Sequence, residues 1–357
     1  KRIFKHLYEI FLIKQPNLKP ITEVLPTSVK LKVWYLYYMI KLRTLIEELI
    51  TEGGNVFGTT APIAKEKIEP TLEKFVEEIG RVFPKKASTF TSFEKLGSAG
   101  KKDMSGDIDV AYPVAHLTKD GKPDLEGWDL DETKFNEYFE KIRKRARTST
   151  ETQSQLRAML TLIAEKINVD STILQADPKS AGSNSLFLAF PQYNEDGSRE
   201  KELIQVDINV GDPEWLKFSY YSNIYKGVVK GLHRTQLMLA LFTAKGKMFK
   251  HEQGVLNKET REVEASTPKE ALALLNKLYN LELTQDQLND YFELSATLEK
   301  SLSKEDYNKV MDIYLKILDR TGPFAHVPEN LEKYWIENQD RLGLTGKRLP
   351  EDSNLKK

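Results

Sequence analysis

Asp107 and Asp109 stand one residue apart within FEKLGSAGKKDMSGDIDVAY, residues 93–112. Asp107-Ile108-Asp109 reads as the opening of a strand. Successive strand side chains point to opposite faces, so the two carboxylates share one face while Ile108 and Val110 turn toward a core. Like charges so placed repel unless something positive lies between them. A divalent cation is the usual answer, since Mg2+ takes oxygen ligands and is commonly held by one or two carboxylates plus substrate phosphates. Just upstream, Gly97-Ser98 offers backbone N–H groups that can be approached closely, because glycine has no Cβ, and a hydroxyl donor. Lys101 and Lys102 add positive charge nearby. A phosphate grip followed by a metal grip is a phosphoryl-transfer layout.

The order Gly97-Ser98, eight intervening residues, then Asp107-Ile108-Asp109 resembles the signature of the nucleotidyltransferase superfamily typified by DNA polymerase beta. The string GSAGKKDMSGDIDV is especially similar to the family X polymerases, with Lys101-Lys102 where those carry two arginines and a loop one residue shorter. The resemblance implies an α+β fold, a nucleotidyltransferase-type mixed β-sheet core flanked by helices. It also implies a third carboxylate on a later strand. ELIQVDINV, residues 202–210, supplies one: Ile204, Val206, Ile208 and Val210 share one face, and Gln205, Asp207 and Asn209 the other. An acid in a strand this apolar is costly unless a cation or hydrogen bonds compensate it.

By resemblance, Asp107 and Asp109 bridge two Mg2+ ions, for which Mn2+ could substitute, and Asp207 binds the second ion; all three are metal ligands and catalytic residues. Gly97, Ser98, Lys101, Lys102 and Ser105 are the implied nucleotide contacts at the triphosphate, and Tyr220, Tyr221 and Ser222 those at sugar and base. The implied reaction moves an NMP from ATP or another NTP or dNTP to a hydroxyl. An RNA or DNA 3′ end is the first acceptor, with a protein or small-molecule hydroxyl as the alternative. The glycine-rich helix-hairpin-helix turns that hold DNA in family X repair polymerases have no match in this sequence, which favours template-independent or small-substrate transfer over gap filling.

Taken singly, each feature has a plainer use. An Asp-x-Asp pair is often solvated surface, and a glycine-serine pair is often only a turn. Tyr220 and Tyr221 suit a core equally well. Lys226, Lys230, His233 and Arg234 could reach a triphosphate tail or line a wet helix face. Lys141, Arg143, Lys144, Arg145 and Arg147 could track a polyanion or sit in water as cations near a helix's negative end. The aromatics Trp34, Tyr35, Tyr37 and Tyr38 suit helix packing better than base stacking. A non-catalytic module that keeps the fold is a reading of a different class, though a scaffold has no need of three converging carboxylates.

With 357 residues the chain has room for two or three domains and a substantial core. Its 53 basic and 53 acidic residues cancel, so any polyanion must be held by local patches. The lack of cysteine excludes disulfides, thiolate zinc sites and thiol catalysis, and five scattered histidines argue against a histidine-rich metal site. No apolar run is long enough to span a bilayer, and the opening KRIFKHLYEIFLI is too broken by charge for a signal peptide. The expectation is a soluble, intracellular, cytoplasmic protein with no membrane partner. The chain starts on Lys1 and its first methionine is Met39, which a processed product, a fragment or an added leader would each explain.

The positioning elements follow from periodicity. Helices are expected over 1–14, 26–51 (stopped by Gly53-Gly54) and 61–82, the last with Ile68, Leu72, Phe75, Val76 and Ile79 in one stripe. Asp120-Gly121 reads as a loop tip, followed by helices over 133–147 and 151–168. SLFLAF, the turn NEDGS and ELIQVDINV form a hairpin that brings Asp207 beside the first two acids. An apolar helix is expected over 224–242, then a strand at Gly254-Val255-Leu256, a turn at 257–261, and a helix opened by Ser266-Thr267-Pro268. Three more helices are expected, from the capping box Thr284–Gln287, over 303–319 and over 328–341. The resulting plan is an N-terminal helical region (1–86), a palm-like catalytic core (87–215), a thumb-like segment (216–282) and a C-terminal helical extension (283–357).

Overall fold

The computed structural model describes residues 56–97, 99–101, 103–145, 150–221, 232–321, 329–338 and 340–342. The expected helices over 1–14 and 26–51, Gly53-Gly54 and the Trp34–Tyr38 aromatics lie outside those residues, as do Ser98, Lys102, Arg147, Ser222, Lys226 and Lys230. The chain divides into two compact units, Lys1–Gly58 and Thr59–Lys357. The regular elements described belong to the second.

Strand β1 (Ile63–Ala64) leads straight into helix α1 (Lys65–Val82). The sequence pattern places the helix start at 61; instead Ile63 and Ala64 pair antiparallel with Ser105 and Met104. Pro62 explains the difference, because a proline disfavours helical backbone at the residue before it. Ala61 is extended enough to donate its N–H to the Leu203 carbonyl at 2.7 Å. The buried stripe of α1 is Ile68, Leu72, Phe75, Ile79 and Val82, each contributing roughly 1.5–3 kcal/mol by leaving water.

A 3-10 segment, Pro84–Ser92, precedes β2 (Glu94–Lys95), β3 (Met104–Ser105) and β4 (Asp107–Pro113). The short hairpin β5 (Thr118–Lys119) and β6 (Lys122–Pro123) turns at Asp120-Gly121, as its sequence predicts, with φ of 53° and 76°. Helices α2 (Glu132–Arg145) and α3 (Glu151–Asp170) follow, the second opened by the Thr150–Gln153 capping box. Lys141, Arg143, Lys144 and Arg145 are exposed on α2, the solvated-face arrangement.

Strands β7 (Gln175–Ala176), β8 (Ser185–Tyr193) and β9 (Arg199–Gly211) complete a five-stranded sheet of order β2-β4-β9-β8-β7. The β8–β9 hairpin is antiparallel, as expected from the NEDGS turn, whereas β4 and β9 run parallel, so the sheet is mixed. Its apolar face carries Ile108, Val110 and Tyr112 of β4, Ile204, Val206, Ile208 and Val210 of β9, and Leu186, Leu188 and Phe190 of β8. These pack with α1 and α3 into one core.

The remainder forms a second core. It contains α4 (Pro213–Ser219), α5 (Leu232–Ala244), the three-stranded sheet β10 (Lys247–Lys250), β11 (Gly254–Asn257) and β12 (Val263–Ala265), and α6 (Pro268–Tyr279). Helices α7 (Gln285–Asn289), α8 (Tyr291–Ser301), α9 (Lys304–Thr321) and α10 (Glu329–Asn338) follow. Thr284 makes the capping box that its sequence predicts, and the helix start expected at Ser266-Thr267-Pro268 carries a capping box of its own between Thr267 and Glu270. The helix expected to run on from Thr284 breaks at Asp290. The Asp290 carboxylate accepts the N–H groups of Phe292 and Glu293, at 2.8 and 3.0 Å, and starts α8 afresh. Among the described residues no helix is long and apolar enough to cross a membrane.

Candidate acidic site on the mixed sheet

Register decides where the acids stand. Across the parallel β4–β9 pair, Asp107 faces Gln205, Asp109 faces Asp207 and Ala111 faces Asn209. The odd-numbered positions of both strands share one face, opposite the apolar core, so all three carboxylates lie on the same side of the sheet. The hairpin β8–β9 thus delivers Asp207 beside an acid about a hundred residues earlier in the chain.

Asp207 is buried at 8% exposure, Asp109 is half-buried, and the hydrogen bonds to their carboxylates come from amides. Gln205 Nε2 donates to Asp207 Oδ1 at 2.7 Å. Asn209 Nδ2 donates to Asp109 Oδ1 at 3.1 Å and to the Asp207 carbonyl at 3.2 Å. Neither amide neutralises charge. Burial, and then the neighbouring Asp109 and Asp107 charges, push the Asp207 carboxyl up to about 8, against the opposing bond from Gln205. Burial and the Asp107 charge push Asp109 up as well, opposed by Asn209. Placing anions together in a poorly solvated spot raises each one's hold on a proton.

The turn above them is shaped for close approach. Leu96 N–H donates to the Asp109 carbonyl at 2.8 Å, fixing the start of the Gly97 turn against β4. Gly97 has φ of 59°, and a Cβ built there would lie 3.4 Å from Asp109 Oδ2. Lys101 projects from the same loop with its ammonium 5.2 Å over the Tyr221 ring, so these two candidate contacts meet. Ser105 does not face the turn openly. Its side chain is buried at 4% exposure in β3, and its hydroxyl has no hydrogen-bond partner among the described residues. Ser98, Lys102 and Ser222 lie outside the described residues.

Tyr220, the C-cap of α4, packs against Leu96, Ala111 and Leu216 on the acid side of the sheet. Its hydroxyl is pushed up by burial first and then by the charges of Glu252, Asp109 and Asp207. His251, from the β10–β11 turn, lies ring to ring with Tyr220 at 4.8 Å between centroids. Burial, then the charges of Arg234 and Lys250, push His251 down to about 4, so it is neutral at pH 7.

Two side chains considered for a triphosphate tail have other work. Arg234 is fully buried, and its guanidinium donates to the Leu288 carbonyl at 3.0 Å, the Phe218 carbonyl at 2.5 Å and Asn289 Oδ1 at 2.9 Å. His233 is also buried, with Nδ1 2.7 Å from the Tyr314 hydroxyl. The α5 surface there is core, not wet, because α7 and α9 cover it. Sequence reasoning places Gln205 and Asn209 on the acid face without giving them a role. The strict amide–acid–amide alternation along β9 is the signal that could have assigned one.

Among the described residues no three of the histidines and acids stand close enough together to hold a metal ion by themselves. Mg2+ does not require three, since one or two carboxylates plus substrate phosphates suffice. The donors here fit such an ion: hard oxygens, concentrated negative charge, amide donors on Asp207 and Asp109, and an approach at Gly97 that no side chain of its own fills.

The fold thus defines an α+β protein built on a mixed five-stranded sheet. No family model and no curated protein matches the chain. Among solved structures it is similar to polymerase beta from Leishmania infantum in a ternary P/T complex, at 10% identity and a TM-score of 0.36, over 77% of this chain and 87% of that one. A superposition that loose carries no argument about chemistry, which rests on the sheet itself.

Proposed function

We propose that the chain is a Mg2+-dependent nucleotidyltransferase that moves an NMP from an NTP or dNTP to the 3′ hydroxyl of a nucleic acid. The observation that carries this reading is the in-register opposition of Asp109 and Asp207 across β4–β9, with Asp107 on the same face and amide donors on Asp207 and Asp109. In this reading residues 87–215 form the catalytic core, 216–282 a thumb-like segment and 283–357 a helical extension.

One or two of the carboxylates of Asp107, Asp109 and Asp207, together with substrate phosphates, would hold the metal. When bound, Mg2+ neutralises phosphate charge and lowers the pKa of a coordinated hydroxyl. Gly97 leaves room for phosphate oxygens beside Asp109, and its turn supplies backbone donors. Lys101, steadied on Tyr221, is within the same loop and balances charge on the outer phosphates. Asp207 is the group placed to take the acceptor hydroxyl's proton as the new P–O bond forms and pyrophosphate leaves. Tyr220 stands beside the acids as a wall for sugar or base.

The deciding experiment incubates the full chain with Mg2+, each labelled NTP and dNTP, and a pool of RNA and DNA oligonucleotides. Label on the nucleic acid is the expected result, and Asp109→Asn should abolish it while leaving the circular-dichroism spectrum unchanged. Label on protein or on a small molecule would move the acceptor to another class. Full activity in Asp109→Asn would remove the site.

A further inference from the structure

We propose that Gln205 and Asn209 are positioning residues, which fix the Oδ1 atoms of Asp207 and Asp109 so that both Oδ2 atoms remain for the divalent cation. The inference rests on the nucleotidyltransferase reading and adds two residues to its site.

Strand alternation puts Gln205, Asp207 and Asn209 on one face of β9, and parallel register sets Asp107, Asp109 and Ala111 opposite them. Each amide bonds one carboxylate oxygen, Gln205 along its own strand at 2.7 Å and Asn209 across to β4 at 3.1 Å. Asn209 uses its second N–H on the Asp207 carbonyl at 3.2 Å, so both of its donors are committed and its amide orientation is fixed. Gln205 and Asn209 are buried at 0% and 5% exposure, too deep to swing away as surface amides do.

Among the described residues no hydrogen bond reaches Oδ2 of either acid. On Asp109 that atom is the one beside Gly97, 3.4 Å from where a Cβ would sit. An arginine or lysine in place of either amide would orient the acids equally well. It would also cancel the negative charge that attracts a divalent ion. An amide supplies direction without charge. Removing such a partner from a ligating group typically costs about 10–100-fold in metal affinity.

The test measures Mn2+ binding to the full chain alone, by electron paramagnetic resonance of the free ion, for wild type, Gln205→Met and Asn209→Leu. Both variants keep side-chain volume and lose the donor. The expected result is a roughly 10–100-fold weaker Mn2+ affinity in each, with thermal midpoints near wild type. In transfer assays the metal concentration for half-maximal rate should rise by the same factor at unchanged KM for the triphosphate. Wild-type affinity in both variants overturns the positioning role and leaves the proposed activity standing. A wild-type chain that binds no Mn2+, either alone or with a nucleoside triphosphate present, overturns both. If Gln205→Met does not fold, Asn209→Leu decides alone; if neither folds, the amides belong to the core and the inference falls.

Discussion

Arg234 in the helical core and Asp109 on the sheet are both charged groups drawn away from water, and the protein surrounds them differently. Around Arg234 three acceptors are in place: two backbone carbonyls and the Asn289 amide oxygen. The Phe218 ring adds a face 4.6 Å from the guanidinium carbon. Among the described residues Asp109 takes a neutral donor, Asn209, and the charge that acts on it is that of another acid, Asp107. A buried charge costs several kcal/mol unless its surroundings answer it. The helical core answers its own from within. Among the described residues the sheet answers Asp109 with a neutral amide alone, an imbalance that the proposed cation would relieve.

The largest expected effect separates the two regions outright. Arg234→Met takes the guanidinium away from the Leu288 and Phe218 carbonyls and from Asn289 Oδ1, which keeps only the longer bond from Gln285 Nε2 at 3.3 Å, in a site closed to water. It should destabilise folding by about 3–5 kcal/mol, read from urea unfolding. Asp109→Asn should do the reverse, losing transfer while stability holds or rises, since one of several crowded charges is gone. Equal loss of stability in both variants would sink the distinction between a satisfied and an unsatisfied buried charge.

A second effect is visible in pH. Asp207 in the folded chain titrates near 8, against an ordinary aspartate near 3.8, so between those values the folded state holds more protons than the unfolded one. Its contribution to stability is therefore fully present below the lower value and is lost as pH rises through the higher one. In chelator, the stability of Asp207→Asn minus that of wild type should widen from about pH 4 to about pH 8. Saturating Mg2+ should close the gap at the alkaline end. A difference that shrinks with rising pH would mean that Asp207 is stabilised as a carboxylate by the fold itself.

Much of the sheet was legible because strand alternation is a local rule. Ile108 and Val110 against Asp107 and Asp109, and the same pattern around Asp207, required only the period of two. The hairpin turn at NEDGS and the capping residues Thr267 and Thr284 were equally local. Arg234 was not legible as core, because what hides it are residues more than fifty positions later, Leu288 and Asn289, that α7 brings over α5. The break at Asp290 was readable in principle: Asp290 three residues before Glu293 is itself a helix-start pattern, overlooked inside a longer apolar periodicity. Gln205 and Asn209 were placed on the right face, but their role depends on which carboxylate oxygen each reaches, a question of distance and not of pattern.

The finest test compares two glycines. Gly97 and Gly121 both hold positive φ, at 59° and 76°, so alanine at either position pays the same kind of backbone strain, about 1–2 kcal/mol. Their surroundings differ. A Cβ at Gly121 meets nothing within 4 Å, whereas one at Gly97 lies 3.4 Å from Asp109 Oδ2, an ordinary contact that is not a clash. Gly97→Ala and Gly121→Ala should therefore lower the unfolding free energy by similar amounts. Only Gly97→Ala puts a methyl group where phosphate oxygens would approach the carboxylate, so only that variant should lose metal affinity and transfer. If Gly121→Ala impairs transfer as much, the loss follows from strain shared across the fold, and the space beside Asp109 has no special use.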